Sequence, residues 1–236
     1  MVSRSPALFQ GYLKNDEATR ETIVDGWLHS GDAGYLTEGG QLVCIDRIKD
    51  LMRLRSGARF SPMFIENKLK FCPYIVECIV LGHERDYLTA MICIDYKNTG
   101  KWAEDHRIGY TTYTDLAAKP EVYDLIEREV VRVNRVLPEK ARVQKFLLLY
   151  KEFDPDDEEL TRTRKLRRKF ISQRYAQEIE ALYSEADKVH VESEIRYQDG
   201  KVATIKTDLH IRRMKALDQY ALEDERKWWQ FWKPVH

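Results

Sequence analysis

The sequence has no apolar run that approaches the roughly 20 residues of a membrane-spanning helix, and no apolar leader follows Met1. Its 39 Lys+Arg residues balance 39 Asp+Glu residues, and this zero net charge argues against a protein that binds nucleic acid over its whole surface. The four cysteines form no Cys-x-x-Cys pair, and with six scattered histidines they show neither a disulfide framework nor zinc-ligand spacing. We therefore expect a soluble, cytoplasmic protein without a metal site of its own.

The sequence does have the apolar content of a folded protein. Hydrophobic residues make up 43% of the chain and charged residues 33%, with 13 Tyr, 8 Phe and 5 Trp. This composition excludes a disordered chain, which buries too little apolar surface to offset the loss of chain entropy. The length of 236 residues is enough for one large or two small domains with a hydrophobic core.

Residues 61–150 alternate between helix and strand signals. Ser61 followed by Pro62 predicts the start of a helix, because serine caps a helix N-terminus and proline suits its first turn. Pro120 opens a longer amphipathic helix. Strands are expected at 75–81, 87–95 and 144–150, and a hairpin loop at 83–86 joins the first two. These elements predict an α+β fold in which helices flank a three-stranded sheet.

The C-terminal part of the chain predicts a helix, a β-hairpin and a second helix. The apolar residues of the first helix recur at the spacing of one inward face: Phe170, Tyr175, Ile179 and Leu182. Alternating patterns at 189–197 and 203–211 flank Asp199-Gly200, a typical two-residue hairpin turn. The last segment, from about Arg212, is expected to be helical and ends in a Trp-rich cluster at 228–232. That cluster suits packing on the body, a subunit contact or a membrane interface.

Three polar segments are candidates for chemistry. Asp32 follows a glycine turn in GWLHSGD (26–32), where a carboxylate can accept two hydrogen bonds from a ribose diol, although the pattern is also a common surface turn. Arg and Lys are dense around a glycine loop at 46–59, which suits phosphate groups or a solvated domain edge. The basic run 160–168 suits a lysine that reaches into an anionic site, a solvated face or a nucleic-acid patch.

Taken together and in order, these segments resemble a known superfamily. The closing third of adenylate-forming enzymes is similar to FQGYLKN (9–15), EAT (17–19), GWLHSGD (26–32), DRIKD (46–50) and LTRTRK (160–165). Within that superfamily, SGARFSPMFIEN (56–67) resembles the long-chain acyl-CoA synthetases. The resemblance runs from about residue 4 to residue 185, and the joint spacing of its motifs makes it specific.

The resemblance implies a role for five residues. Asp32 would hold the ribose hydroxyls of ATP or AMP, and Arg47 would bind the ribose and phosphate region. Lys49 occupies the position of the hinge between the large and small domains. Lys165 would be the catalytic lysine that bridges the fatty-acid carboxylate and the α-phosphate, and Gly57 would line the tunnel in which CoA forms the thioester.

The resemblance also divides the chain into three parts. Residues 1–47 would be the tail of the large N-terminal adenylation domain, residues 48–185 the mobile C-terminal domain, and residues 186–236 a hairpin-and-helix extension. The rest of the large domain, with its phosphate loop, acyl pocket and most of the Mg²⁺ site, has no counterpart in these residues. We therefore expect the chain alone to be inactive and to need that domain in cis or in trans.

Two other functions are compatible with the residues. The chain would be a non-catalytic binding or regulatory module if it pairs with a separate large subunit. A nucleic-acid binder would use the basic residues of 162–174, but the acidic stretch before them and the zero net charge argue against a nucleic-acid partner. The expected ligands are thus a fatty acid, ATP and CoA, while a homo-oligomer and peripheral contact with a membrane stay open.

Overall fold

A computed structural model describes residues 1–196 and 202–220 of the chain. The strands are β1 (Val2–Ser3), β2 (Ile23–Val24), β3 (Trp27–His29), β4 (Asp32–Leu36), β5 (Leu42–Arg47), β6 (Met52–Arg53), β7 (Arg59–Phe60), β8 (Ile75–Leu81), β9 (Leu88–Ile94), β10 (Val143–Leu148), β11 (Lys188–Arg196) and β12 (Val202–Arg213). The α-helices are α1 (Asp16–Thr22), α2 (Pro62–Lys70), α3 (Tyr96–Asp105), α4 (Tyr113–Ala117), α5 (Pro120–Asn134), α6 (Arg168–Arg174) and α7 (Ala176–Tyr183). Short 3₁₀ turns lie at Ile48–Asp50 and Glu139–Ala141, and residues 217–220 are helical.

A five-stranded sheet in the order β11-β12-β10-β9-β8 is the centre of the fold. Its β8, β9 and β10 confirm the three predicted strands, with small differences at their ends. The predicted hairpin also forms, but it continues this sheet, because β12 pairs antiparallel with β10 from Lys145↔Arg213 to Leu147↔Ile211. The pairing satisfies backbone groups that would otherwise lie open along an edge of β10.

Both faces of strand β9 are buried, and its successive residues alternate between two cores. Ala90 and Ile92 pack with α2 and α5 on one face, whereas Met91 and Cys93 pack with α6 and α7 on the other. A strand buried on both faces reads as a continuous apolar run rather than as an alternating one. Because helices cover both faces of β9, the strand is buried along its whole length, including Thr89.

The helix starts predicted from proline are confirmed. Ser61 is the N-cap of α2, and its hydroxyl oxygen accepts a hydrogen bond of 2.9 Å from the Phe64 N–H. Pro62 and Pro120 occupy the first turns of α2 and α5. Proline is favoured there because the amide hydrogen it lacks has no partner inside the helix.

Two sequence predictions near the C-terminus are wrong. The expected single helix around Tyr175 is two helices, and Phe170 is only half-buried while Ile171 is buried. Tyr175 leaves the helical conformation (φ −102°, ψ 29°), and its hydroxyl donates to buried Glu159. Residues 212–213 are strand rather than helix, because they pair with β10. The predicted Asp199-Gly200 turn and the Trp-rich cluster at 228–232 lie outside the described residues.

Residues 1–47 form small separate sheets without a core of their own. The strands β1, β3 and β2 make one sheet, and β4 pairs with β5 in another. None of residues 1–45 is buried, and Asp46 is the first residue of the chain that is. Apolar side chains such as Leu13 and Leu36 stay exposed.

Candidate functional site

The β4–β5 hairpin brings Asp32 and Arg47 together. The two residues lie opposite each other in the strand register, and Arg47 Nε lies 3.1 Å from Asp32 Oδ1. Arg47 also donates from Nη1 to the Ser30 carbonyl at 2.7 Å. The Asp32 side chain is 24% exposed and that of Arg47 57%, so both reach solvent. A carboxylate has two oxygens and this ion pair uses one, so Asp32 keeps acceptor capacity for a hydroxyl ligand.

Asp46 joins this hairpin to helix α2. Its buried carboxylate accepts hydrogen bonds from the Arg47 N–H at 2.8 Å and from the Ser61 hydroxyl at 2.5 Å. Since Ser61 caps α2, the contact links the β5 strand to the first turn of the helix. Lys49 lies between them in the 3₁₀ turn Ile48–Asp50 and is exposed. The short exposed turn at the predicted hinge therefore directly follows a strand that is anchored to α2 through Asp46.

Gly57 lies in the tight loop that joins β6 to β7, before helix α2. Its φ of +84° is in the left-handed region, which favours glycine, and its N–H donates to the Leu54 carbonyl at 2.9 Å. The neighbouring Arg55 pairs with Asp86 at 2.8 Å, which ties the loop to the turn between β8 and β9. A Cβ at Gly57 would meet no atom within 4 Å, so the surface beside the loop is open.

Lys165 is exposed at the end of a short closed loop. The loop is closed by a bridge between Leu160 and Leu166, and the Thr161 N–H donates to the Lys165 carbonyl at 2.8 Å. The Lys165 N–H in turn donates to the Thr161 hydroxyl at 3.0 Å. Arg164 takes a left-handed conformation with φ of +57°. These contacts fix the backbone under Lys165 while leaving its ammonium group in solvent.

The start of this loop is attached to the core through Glu159, which is fully buried. Its carboxylate accepts hydrogen bonds from Lys151 Nζ at 2.6 Å and from the Tyr175 hydroxyl at 2.6 Å. Its carbonyl accepts from the Arg167 N–H at 2.9 Å. Burial raises the pKa of Tyr175 well above its usual range, so this residue stays a neutral donor.

The end of the loop is attached through Arg168, whose guanidinium donates to buried Glu66 on α2. The other Glu66 carboxylate oxygen accepts from the Val80 N–H at 2.7 Å. Burial raises the pKa of Glu66, and the Arg168 charge opposes that rise. Sequence reasoning missed the role of both residues. The available signal was a carboxylate at position 66 of the apolar stripe formed by Pro62, Ile65 and Leu69.

A cavity of about 440 Å³ lies between the Lys165 loop, helix α2 and the turn after β5. Lys165 and Arg164 line one side, and Asp46 and Asp50 line another. The fold thus places the lysine beside the residues that flank Arg47 and Lys49, whereas Gly57 does not line this cavity. The individual roles of Asp32, Arg47, Lys49, Gly57 and Lys165 stay predictions.

Across residues 1–196 and 202–220, no three His, Cys, Asp or Glu side chains converge into a group that could hold a metal ion. We therefore assign no magnesium ligand among these described residues. In the same part of the chain, no helix is both long and apolar enough to span a membrane.

Comparison with known proteins identifies relatives over most of the chain. Residues 49–187 match the family model described as AMP-binding enzyme C-terminal domain. The long-chain-fatty-acid–CoA ligase FadD15 of Mycobacterium tuberculosis is 30% identical over 185 residues, which is 78% of this chain and 31% of FadD15. The peroxisomal long chain acyl-CoA synthetase 7 of Arabidopsis thaliana is 31% identical over 77% of this chain and 27% of its own length. The chain thus spans about a third or less of these relatives.

A solved structure supports the fold. The adenylation domain of a carboxylate reductase from Mycobacterium chelonae superposes with a TM-score of 0.51 at 23% identity, over 76% of this chain and 27% of that one. At this identity the likeness concerns the fold alone. The match of the family model to more than half of the chain, together with the mixed α+β architecture, decides the relationship. The chain belongs to the family of AMP-binding enzyme C-terminal domains, whose relatives here are long-chain fatty-acid–CoA ligases.

Proposed function

We propose that this chain supplies the mobile C-terminal domain of an ATP-dependent acyl-CoA synthetase that activates a long-chain fatty acid. The observation that carries the proposal is Lys165, an exposed ammonium on a loop whose two ends are attached to buried carboxylates. In the proposed reaction, the fatty-acid carboxylate attacks the α-phosphorus of ATP. The new C–O–P linkage forms as the bond to the β-phosphate breaks and pyrophosphate leaves.

Lys165 would act in this first step as a cation between two anions. A carboxylate and a triphosphate repel each other, and charge spreads over the phosphoryl oxygens in the transition state. A positive group held in place beforehand stabilises that charge without reorganising during the reaction. The closed loop supports this role, because it fixes the backbone at Lys165 while the side chain stays accessible.

Asp32 and Arg47 would bind the nucleotide. The Asp32 carboxylate suits the two ribose hydroxyls, and Arg47, held beside it at 3.1 Å, suits the neighbouring phosphate. In the second step the CoA thiol attacks the acyl carbon and AMP leaves, so the same adenylate needs different surroundings. Rotation about Lys49 would withdraw Lys165 and present the open Gly57 loop instead.

We expect the 236 residues by themselves to catalyse no adenylation, because the family resemblance assigns the phosphate loop, the acyl pocket and most of the magnesium site to a large adenylation domain outside the matched residues. A large adenylation domain, in cis or in trans, would complete the enzyme. If the chain instead serves as a binding or regulatory module, it would associate with such a domain without restoring activity.

A chimera with a relative tests the proposal. This chain would replace the matched third of FadD15, and ATP–pyrophosphate exchange would be measured with palmitate, with intact FadD15 as the positive control. We expect exchange in the chimera, and a loss of about 100-fold or more in Lys165→Ala. Lys169→Ala removes an exposed lysine four residues away and is expected to keep the exchange rate.

Two results would contradict the proposal. One is a folded chimera that shows no exchange while intact FadD15 is active, which would favour the binding-module alternative. The other is an active chimera in which Lys165→Ala and Lys169→Ala behave alike, because the lysine would then have no part in adenylation.

A further inference from the structure

Helix α2 carries a carboxylate where its apolar stripe predicts a hydrophobic residue. Its buried positions are Pro62, Ile65, Glu66 and Leu69, which follow the i, i+3, i+4, i+7 spacing of a core-facing helix. Glu66 is only 3% exposed. Burying a carboxylate is costly unless it is paired and hydrogen-bonded, so packing alone does not explain a glutamate at this position.

Glu66 and Arg168 together bind the backbone N–H and carbonyl of one residue, Val80, at the edge of the sheet. Strand β8 is an edge strand, and the N–H and carbonyl of Val80 point away from β9. Glu66 accepts from the Val80 N–H at 2.7 Å, Arg168 donates to the Val80 carbonyl at 3.5 Å, and the two side chains pair with each other. Arg168 is thereby held by both α2 and β8.

Arg168 is also the first residue of α6 and follows Lys165 by three positions. Between Glu159 and Arg168, the backbone contacts of the loop are local, such as those between Thr161 and Lys165. Leu160 and Leu166 also pack in the core under α6. The position of the lysine relative to the body of the domain therefore depends on that packing and on the two attached ends. Glu159 belongs to the core under α6, whereas the Glu66–Arg168 pair faces the cavity that Lys165 lines.

We propose that Glu66 and Arg168 are positioning residues that set where Lys165 reaches in the adenylation step. The proposal rests on the function proposed above. Glu66, Val80, Arg168 and Lys165 all follow Lys49 in the chain, so the pair would move together with the lysine when the domain rotates about that residue. Neither side chain touches substrate, and both act through the loop.

The test compares two ion pairs that lie beside each other. Glu66→Gln keeps the size of the side chain and an acceptor for Val80 but removes the charge that faces Arg168. Glu158→Gln makes the same change in the exposed pair of Glu158 with Arg167, 3.2 Å apart. Each variant is made in the 236-residue chain and in the FadD15 chimera.

The first measurement is backbone hydrogen exchange over residues 160–167 in the chain itself, which needs no catalytic activity. In Glu66→Gln we expect this segment to exchange about tenfold faster, with the exchange of β9 and β10 unchanged. Glu158→Gln is expected to match the wild-type chain. Unchanged exchange of 160–167 in Glu66→Gln would overturn the proposal, and so would faster exchange throughout the domain.

The second measurement separates the two half-reactions in the chimera. We expect Glu66→Gln to lower palmitate-dependent ATP–pyrophosphate exchange by about 100-fold, because small misplacement of a catalytic group is costly. Thioester formation from supplied palmitoyl-adenylate and CoA should stay within about twofold. Arg168→Lys, which keeps the charge but loses the forked geometry, should fall between Glu66→Gln and wild type.

Equal loss of both half-reactions would mean that the pair only stabilises the fold, and would overturn the positioning role. If the wild-type chimera shows no exchange, the proposed function fails. The hydrogen-exchange result then decides by itself whether the pair holds the Lys165 loop.

Discussion

The two parts of the candidate site differ in how they are supported. Asp32 and Arg47 lie on a thin hairpin in a region with no buried residue before Asp46. Lys165 lies on a loop whose Leu160 and Leu166 pack in the core on one face of the five-stranded sheet. The comparison teaches that the lysine is placed by this domain's own core, whereas the Asp32–Arg47 pair is held by local strand pairing.

The largest expected contrast in stability comes from one leucine in each region. Leu147→Ala empties a fully buried site in β10 and should lower the free energy of unfolding by about 3 kcal/mol. Leu36→Ala, in β4, changes a side chain that is 69% exposed and should cost less than about 0.5 kcal/mol. Urea unfolding followed by circular dichroism measures both. Similar losses in the two variants would mean that residues 1–47 have a core comparable to that of the sheet.

A second contrast concerns two neighbouring arginines at the end of the Lys165 loop, one paired with buried Glu66 and the other with exposed Glu158. Arg168→Gln leaves Glu66 buried without its cation and should lower the free energy of unfolding by about 2 kcal/mol at neutral pH. Arg167→Gln, in the exposed pair with Glu158, should have little effect. The loss in Arg168→Gln should also depend on pH.

The sign of that dependence follows from the pKa of Glu66. Burial and the charge of Glu77 raise the pKa of Glu66, and the charge of Arg168 lowers it. Arg168→Gln removes the lowering charge, so the pKa of Glu66 rises further. A carboxyl group with a raised pKa in the folded state stabilises the fold while protonated, and this contribution is lost as pH rises. The destabilisation by Arg168→Gln should therefore be larger at about pH 8 than at about pH 5. Urea unfolding at the two pH values measures it, and an equal or smaller loss at the higher pH would contradict this assignment.

A third and smaller effect on stability is expected for the exposed Asp32–Arg47 pair. Both side chains reach solvent, so Asp32→Asn should change the free energy of unfolding by less than about 1 kcal/mol. In the FadD15 chimera the same variant should raise the KM for ATP, because the carboxylate is proposed to hold the ribose. An unchanged KM would separate Asp32 from nucleotide binding. Asp25→Asn, in an exposed turn of the same region, is the matched control.

Local patterns predicted most of the elements around the sheet. The Ser61-Pro62 pair located the start of α2, and continuous apolar runs located β8 and β9. Local patterns failed where a distant contact decided the conformation. Tyr175 interrupts the predicted helix as its hydroxyl bonds Glu159, and residues 212–213 extend β12 because they pair with β10.

The sequence by itself determined the α+β class, the family and the candidate residues, since spacing along the chain carries this information. Only the tertiary structure decided that the hairpin continues the sheet, that Lys165 and Asp50 line one cavity, and that Glu66 binds Arg168 from 102 positions away along the chain. The physical reason is that the burial and pairing of a side chain depend on the residues that surround it in the folded chain, which are often distant in sequence. A glutamate in an apolar stripe shows that it needs a partner, and the fold alone shows which cation reaches it.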